Sequence, residues 1–289
     1  MQSNLSHNRG RVDLPIYEAP ASSILTATSG FIREAGFTHS LTPARNCTFG
    51  CTYCYVPTMG LYGGLKPDDW RRWGQFTTFK QNAPELLRRE LRPSQIIYCS
   101  PLVDPYQPAE EHQQMMPRLL DALIANPPKT IVIQTRGPLI LRDLAQLRAL
   151  NARVSFSLTT DDDAIRRLYE PHCATIEQRL EVIRELRKAG IRVHATLAPL
   201  LPCNPTNLAQ KALDSTGRDL VGDPLHTRSE KPRGATTRDA AYKIAQHHNH
   251  LQWFDPDFMR GVYCTIANVA TERGLQFLTG PAGFKLLNQ

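Results

Sequence analysis

The chain has 289 residues, a mass of 32.5 kDa, a formal net charge of +7 and a pI near 9.1. With 41% apolar and 21% charged residues it is neither a disulfide-stapled miniprotein nor a coiled coil, a collagen-like chain or a wholly disordered one. The length suits one large α/β domain or two small ones, and the basic balance fits an enzyme for anionic substrates as well as a nucleic-acid binder. No run of 18 apolar residues occurs and residues 1–15 lack an apolar core, so neither a membrane span nor a secretory leader is expected.

In chain order, residues 1–40 read as an N-terminal arm with a short strand or helix. Three cysteines follow at 47–54, and a Gly-, Trp-, Tyr- and Asp-rich stretch at 56–80 predicts a long structured loop with a short strand at Phe76–Phe79. Asn82 is placed to cap a helix that begins with Pro84 in its first turn. Strands are then expected at 94–100, 130–136, 153–160 and 191–202, separated by helices at 108–125, 138–150, 162–170 and 175–190. In the last of these, Leu180, Ile183 and Leu186 form a helical stripe and Gly190 closes it. Such alternation predicts βα units around a parallel sheet, with functional groups at the C-terminal strand ends. From 204 the pattern changes. Residues 217–240 read as a polar loop or lid, with Arg218, Arg228, Lys231, Arg233 and Arg238 able to grip phosphates but no interleaved aromatics for base stacking. Helices are expected at 238–249 and 256–273, with one strand in the tail. The organisation is thus an arm (1–40), a core (41–203) and a C-terminal extension with loop and helices (204–289).

Seven cysteines, an odd number, do not form a disulfide framework and fit a reducing, cytoplasmic setting. Three of them, Cys47, Cys51 and Cys54, share one short loop. Soft thiolates select zinc or iron–sulfur. Zinc asks for a fourth protein ligand, for which Cys99 and His112 stand as candidates. Three thiolates can instead hold a [4Fe–4S] cluster and leave one iron open to a cofactor.

The CxxxCxxC spacing, with Tyr53 before the third cysteine, resembles the radical S-adenosylmethionine superfamily. Within it the chain is similar to the spore photoproduct lyase-like group, through CYCY, NAPELLRREL, VDPYQPAEE, TRGPLILRDL, VSFSLTT and EPHCATIEQRLEVIRELRKAGIRV. The resemblance implies a partial (β/α)6 TIM-like barrel with a C-terminal extension. It also implies a [4Fe–4S] cluster on Cys47, Cys51 and Cys54, S-adenosyl-L-methionine as cofactor, and reductive cleavage to a 5′-deoxyadenosyl radical. By the same resemblance the Tyr53 backbone lies against adenine, and the strand-end residues Ser100, Arg136, Ser157 and Thr159, with Arg179 in the following helix, are expected to bind the cofactor. Residues 197–200 are expected near adenine. Asp104 and Tyr106 are expected at the active centre, and Cys99, ahead of Cys203 and Cys264, is the expected hydrogen-atom donor. An electron donor such as flavodoxin or ferredoxin is implied.

The usual Pro-Gly-Leu-Asn-Asp turn is replaced by Pro202-Cys203-Asn204-Pro205, and little of the lesion lyase can be matched after residue 203. The reading is therefore a lyase- or transferase-type radical enzyme acting on an unidentified organic substrate. DNA-lesion repair or nucleic-acid modification is the alternative. The His247-His248-Asn249-His250 run reads as a solvated helix end, since consecutive helical residues do not face one site.

Overall fold

The computed structural model describes residues 14–59, 71–226 and 238–289. Eleven strands occur among them: β1 (Ile16–Ala19), β2 (Leu25–Ala27), β3 (His39–Leu41), β4 (Ala44–Arg45), β5 (Thr77–Lys80), β6 (Ile96–Cys99), β7 (Thr130–Thr135), β8 (Arg153–Ser157), β9 (Arg192–Leu197), β10 (Leu220–Gly222) and β11 (Phe277–Thr279). Eight of them form one sheet in the order β2-β3-β6-β7-β8-β9-β10-β11. Every pairing is parallel except β2 with β3. The sheet is curved and open, a partial TIM-like barrel, and it draws strands from the arm, the core and the extension alike. β1, β5 and β4 make a small second sheet beside it.

Strand alternation sorts the side chains into two layers. Ile97, Cys99, Ile131, Ile133, Val154, Phe156, Ala195 and Leu197 join the large apolar core on the helix side. Between them, Tyr98 and Val132 turn into the barrel, where they meet Phe37, Val221, Phe284 and Leu287 in a second cluster. Phe284 comes from the last helix, Gly280–Leu286, and packs edge-on against Phe31 of the helix Gly30–Glu34, their centroids 5.0 Å apart. Asn288 Nδ2 donates to Ala35 O at 2.8 Å. These two helices thereby bridge the β2 and β11 edges that the open sheet leaves apart.

Four expectations need correction. Asn82 does not cap its helix through its side chain; its amide instead exchanges two hydrogen bonds with the Ala21 backbone, at 2.8 and 2.9 Å. The helix expected at 108–125 is broken at Gln114, whose φ is 47°, into Glu110–Gln113 and Met115–Ala125. The buried Glu110 carboxylate accepts the Met115 and Met116 N–H groups that the break releases. A further helix, Pro205–Thr216, starts where the chain read as turn: Asn204 Oδ1 accepts from Asn207 N at 3.0 Å. The stretch 217–240 is not all loop, because it contributes β10 to the sheet. Residues 60–70 and 227–237, with part of each expected loop and with Arg228, Lys231 and Arg233, lie outside the described residues.

Candidate active site

The cysteine loop crosses the C-terminal mouth of the barrel, after β4. It folds there because its backbone is pinned on three sides. Asn46, at a φ of 61°, accepts from Cys47 N at 2.8 Å and Gly74 N at 3.0 Å. Gln107 Oε1 accepts from Thr48 N at 2.8 Å, and Tyr169 O accepts from Thr52 N at 2.9 Å. Gly50 and Gly74 both have positive φ and cross so closely that a Cβ on Gly74 would stand 2.7 Å from the Gly50 Cα.

Below the loop opens a cavity of about 1110 Å³. Cys47, Cys51, Cys54 and Tyr53 line one end. Ser100, Asp104, Gln134, Arg136, Ser157 and Thr196 line its strand-end wall, with Ala198 and Pro199 beside them. Phe31, Glu34, Trp73, Asp223, Pro281 and Phe284 also line the cavity. The wall carries a polar belt: Gln134 Oε1 accepts from Tyr98 and Ser155, and Gln134 Nε2 donates to Ser157 Oγ at 2.7 Å.

Glu170 organises one side of the site. Its Oε1 accepts from Tyr53, from Arg136 and, at 3.0 Å, from Thr159, while its Oε2 accepts from Arg179. The carboxylate is fully buried. Burial pushes it up, but Arg179, Arg136 and the Tyr53 hydroxyl outweigh that and hold it at about 2. Arg136 Nη1 reaches on to Cys51 Sγ at 3.4 Å. The Cys173 thiol also lies beside Cys51; its hydrogen bond and the Arg136 charge, against burial, lower Cys51. Burial instead raises Cys47 and takes Cys54 to about 12.

Of the residues singled out in the sequence, the three cysteines, Tyr53, Ser100, Asp104, Arg136 and Ser157 share this cavity. Asp104 is spent mainly on the end of the neighbouring strand β7: it accepts from Thr135 Oγ1 at 2.6 Å and from the backbone N–H groups of Arg136 and Tyr106 at 2.9 Å each. Thr159 and Arg179 stand behind the wall, on Glu170. Tyr106 is in the core, where burial and the neighbouring Asp143 raise its phenol. Cys99 lies between Tyr98 and Ser100, and so faces the helix layer instead of the cavity. Glu170 and Cys173 were not singled out. The one sequence signal for Glu170 is its place at the head of the EPHCATIEQR segment that ends in Arg179.

The donor set fits an iron–sulfur cluster. Among the described residues no three His, Cys, Asp or Glu side chains approach closely enough to share a single ion. A cluster spreads its thiolates over different irons. Cys99 points elsewhere and His112 is exposed, so neither completes a zinc site. Beside the loop, Ser100 Oγ is buried and without a hydrogen-bond partner among the described residues, as expected of a group that meets a ligand in the cavity.

A family model described as the radical SAM superfamily matches residues 41–205. An uncharacterized protein of Mycobacterium tuberculosis is 30% identical over 174 residues, which cover 57% of this chain and 50% of that one. The chain thus spans about half the length of this relative. An uncharacterized protein of Acidianus two-tailed virus is 25% identical over 228 residues, 72% of this chain and 74% of that one. A spore photoproduct lyase variant superposes with a TM-score of 0.62 at 14% identity, covering 91% of this chain and 82% of the lyase. A second lyase structure, with bound AdoMet and dinucleoside spore photoproduct, gives 0.61 at 13% identity over 91% and 81%. At these identities the likeness is one of fold. Among the described residues no helix is long and apolar enough to cross a membrane.

Proposed function

The chain belongs to the radical SAM superfamily, and we propose that it is an enzyme whose Cys47, Cys51 and Cys54 hold a [4Fe–4S] cluster that binds S-adenosyl-L-methionine. When bound, the pair supplies reductive cleavage of the cofactor to a 5′-deoxyadenosyl radical, able to abstract hydrogen from an organic substrate. What supports this reading above all is the three thiols lining one cavity together with Ser100, whose buried hydroxyl has no hydrogen-bond partner among the described residues.

The chain's own residues then bind, orient and exclude water. Ser100 and Ser157 offer hydroxyls to the cofactor from the ends of β6 and β8, on either side of β7. The Tyr53 backbone is held against the cavity by the bond from its hydroxyl to Glu170. Asp104 locks the turn after β7 so that Arg136 points to the cysteine loop. At about 1110 Å³ the cavity has room for a second molecule beside the cofactor. That molecule would occupy the end lined by Phe31, Pro281 and Phe284, whose apolar surfaces keep water from a reactive radical. An electron donor such as flavodoxin or ferredoxin, in a reducing cytoplasm, completes the reading. Likeness of fold to a lesion lyase does not carry its substrate to this chain.

Anaerobic reconstitution with iron and sulfide, reduction with dithionite in the presence of S-adenosylmethionine, and mass spectrometry of the products test the proposal. 5′-Deoxyadenosine is expected. A single tightly bound zinc, or an intact cofactor after reduction, would overturn it.

A further inference from the structure

The three loop thiols are not equivalent. Cys51 Sγ faces the Arg136 guanidinium at 3.4 Å, whereas Cys47 and Cys54 receive no side-chain hydrogen bond among the described residues. Nor can Arg136 swing away. Its backbone N–H is tied to Asp104 Oδ2 at 2.9 Å, and its Nη1 also meets Tyr53 Oη and Glu170 Oε1. Glu170 is fixed in turn by Arg179, itself wholly buried with Nε donating to Ala174 O at 3.2 Å. Two guanidiniums and one carboxylate leave this assembly with a net positive charge against one cluster-loop sulfur.

A positive charge and an N–H donor both favour a sulfur that carries more negative charge. Taking up one electron makes an iron–sulfur cluster more negative, so hydrogen bonds to its sulfurs and nearby charge set its potential. In a buried site neither contribution is screened away by water. The side-chain contacts of Arg136 with Cys51, Tyr53 and Glu170 are all three made by its Nη1.

We propose that Arg136, positioned by Glu170 and Arg179, donates an N–H···S hydrogen bond to the Cys51 thiolate of the bound cluster and raises the cluster's reduction potential. This rests on the reading that Cys47, Cys51 and Cys54 carry a [4Fe–4S] cluster. Arg136 is thus a tuning residue for the metal centre, with Glu170 and Arg179 as positioning residues behind it.

The test uses the full chain, reconstituted anaerobically without S-adenosylmethionine, as wild type, Arg136→Gln and Arg136→Lys. Iron and sulfide content, the midpoint potential from a dithionite titration followed by electron paramagnetic resonance, and the H₂O-to-D₂O shift of the iron–thiolate Raman band are measured. Both variants should keep the cluster. The Gln variant should move to a more negative midpoint and show a smaller deuterium shift, the Cys173 thiol still facing Cys51, with Lys in between. A cluster-bearing Gln variant with the wild-type midpoint and deuterium shift overturns the proposal. Should the Gln variant not retain iron, the Lys variant decides on the same two readouts. A wild-type chain that assembles no cluster overturns both this inference and the reading beneath it; a good cluster indifferent to Arg136 overturns this one alone.

Discussion

Glu170 joins two arginines from different elements: its Oε1 takes Arg136, which follows β7, and its Oε2 takes Arg179, in the helix Ile176–Lys188. All three charges are buried or nearly so, with side-chain exposures of 0% for Glu170 and Arg179 and 14% for Arg136. Removing the carboxylate would strand two guanidiniums away from water. Breaking a buried pair from one side costs about 3–5 kcal/mol. Glu170→Gln should therefore lower the unfolding free energy at pH 7 by about 3 kcal/mol, read from urea denaturation. The effect has a signed pH dependence. The folded carboxyl is held at about 2, below its ordinary 4.5, so its contribution is complete above that value and fades as pH falls toward 2. The gap between wild type and variant should close over this acid range. A gap that stays constant from pH 7 to pH 2.5 would show that the ion pairs contribute nothing.

The Gly50–Gly74 crossing makes a separate demand on the loop. Gly74 has a φ of +86°, and a methyl group there would press on the Gly50 backbone at 2.7 Å. Neither the conformation nor the contact can relax by moving a side chain alone. Gly74→Ala should bind less than half the wild-type iron after reconstitution, while far-ultraviolet circular dichroism stays unchanged because neither glycine belongs to a strand or helix. Full iron occupancy in this variant would contradict the geometry.

The barrel was legible because buried parallel strands announce themselves. TIVIQT and RVSFS stand between helices with clear stripes, and Gly190, at a φ of 78°, ends the helix it was expected to end. The helix Pro205–Thr216 was not legible, because Asn-Pro-Thr-Asn is turn chemistry and cap chemistry at once. Asp161, more than 40 residues away, accepts from Asn204 N and Asn207 Nδ2 and holds the segment in place for the Asn204 cap. The cysteine loop needed only local spacing. Glu170 needed partners 117, 34 and 9 residues distant, and no local rule marks an acid whose role is to gather them. The family resemblance points to Arg136 and Arg179 as cofactor ligands, yet it does not reveal that one buried carboxylate holds both.

Cys99 supplies a test of strand alternation. Its neighbours Tyr98 and Ser100 line the cavity, while Cys99 is 1% exposed in the helix-side core, where burial raises its thiol further beyond the physiological range. A hydrogen-atom donor must reach the substrate, and this thiol points away from it. Cys99→Ala is expected to keep its iron and its yield of 5′-deoxyadenosine per cluster, at a stability cost of about 1 kcal/mol. The same substitution at Cys47, Cys51 or Cys54 should abolish both. Loss of cofactor cleavage in a well-folded, iron-loaded Cys99→Ala protein would mean that the strand presents the other face.

Ser100 gives a prediction with opposite signs for the free and the bound protein. Ser100 is 5% exposed and its hydroxyl is buried and unpartnered among the described residues, so in the ligand-free state it carries a desolvation cost with no bond to offset it. Removing an unsatisfied buried hydroxyl should stabilise the fold, and Ser100→Ala should gain about 1 kcal/mol in the absence of S-adenosylmethionine. With the cofactor bound the sign reverses, because the hydroxyl then has its partner: affinity for S-adenosylmethionine should fall by about 5- to 10-fold, the worth of one hydrogen bond. Thermal denaturation of the free protein and equilibrium dialysis of the reconstituted one separate the two effects. Unchanged affinity alongside a gain in stability would show that the cavity wall is wet at Ser100 and that the cofactor binds elsewhere along it.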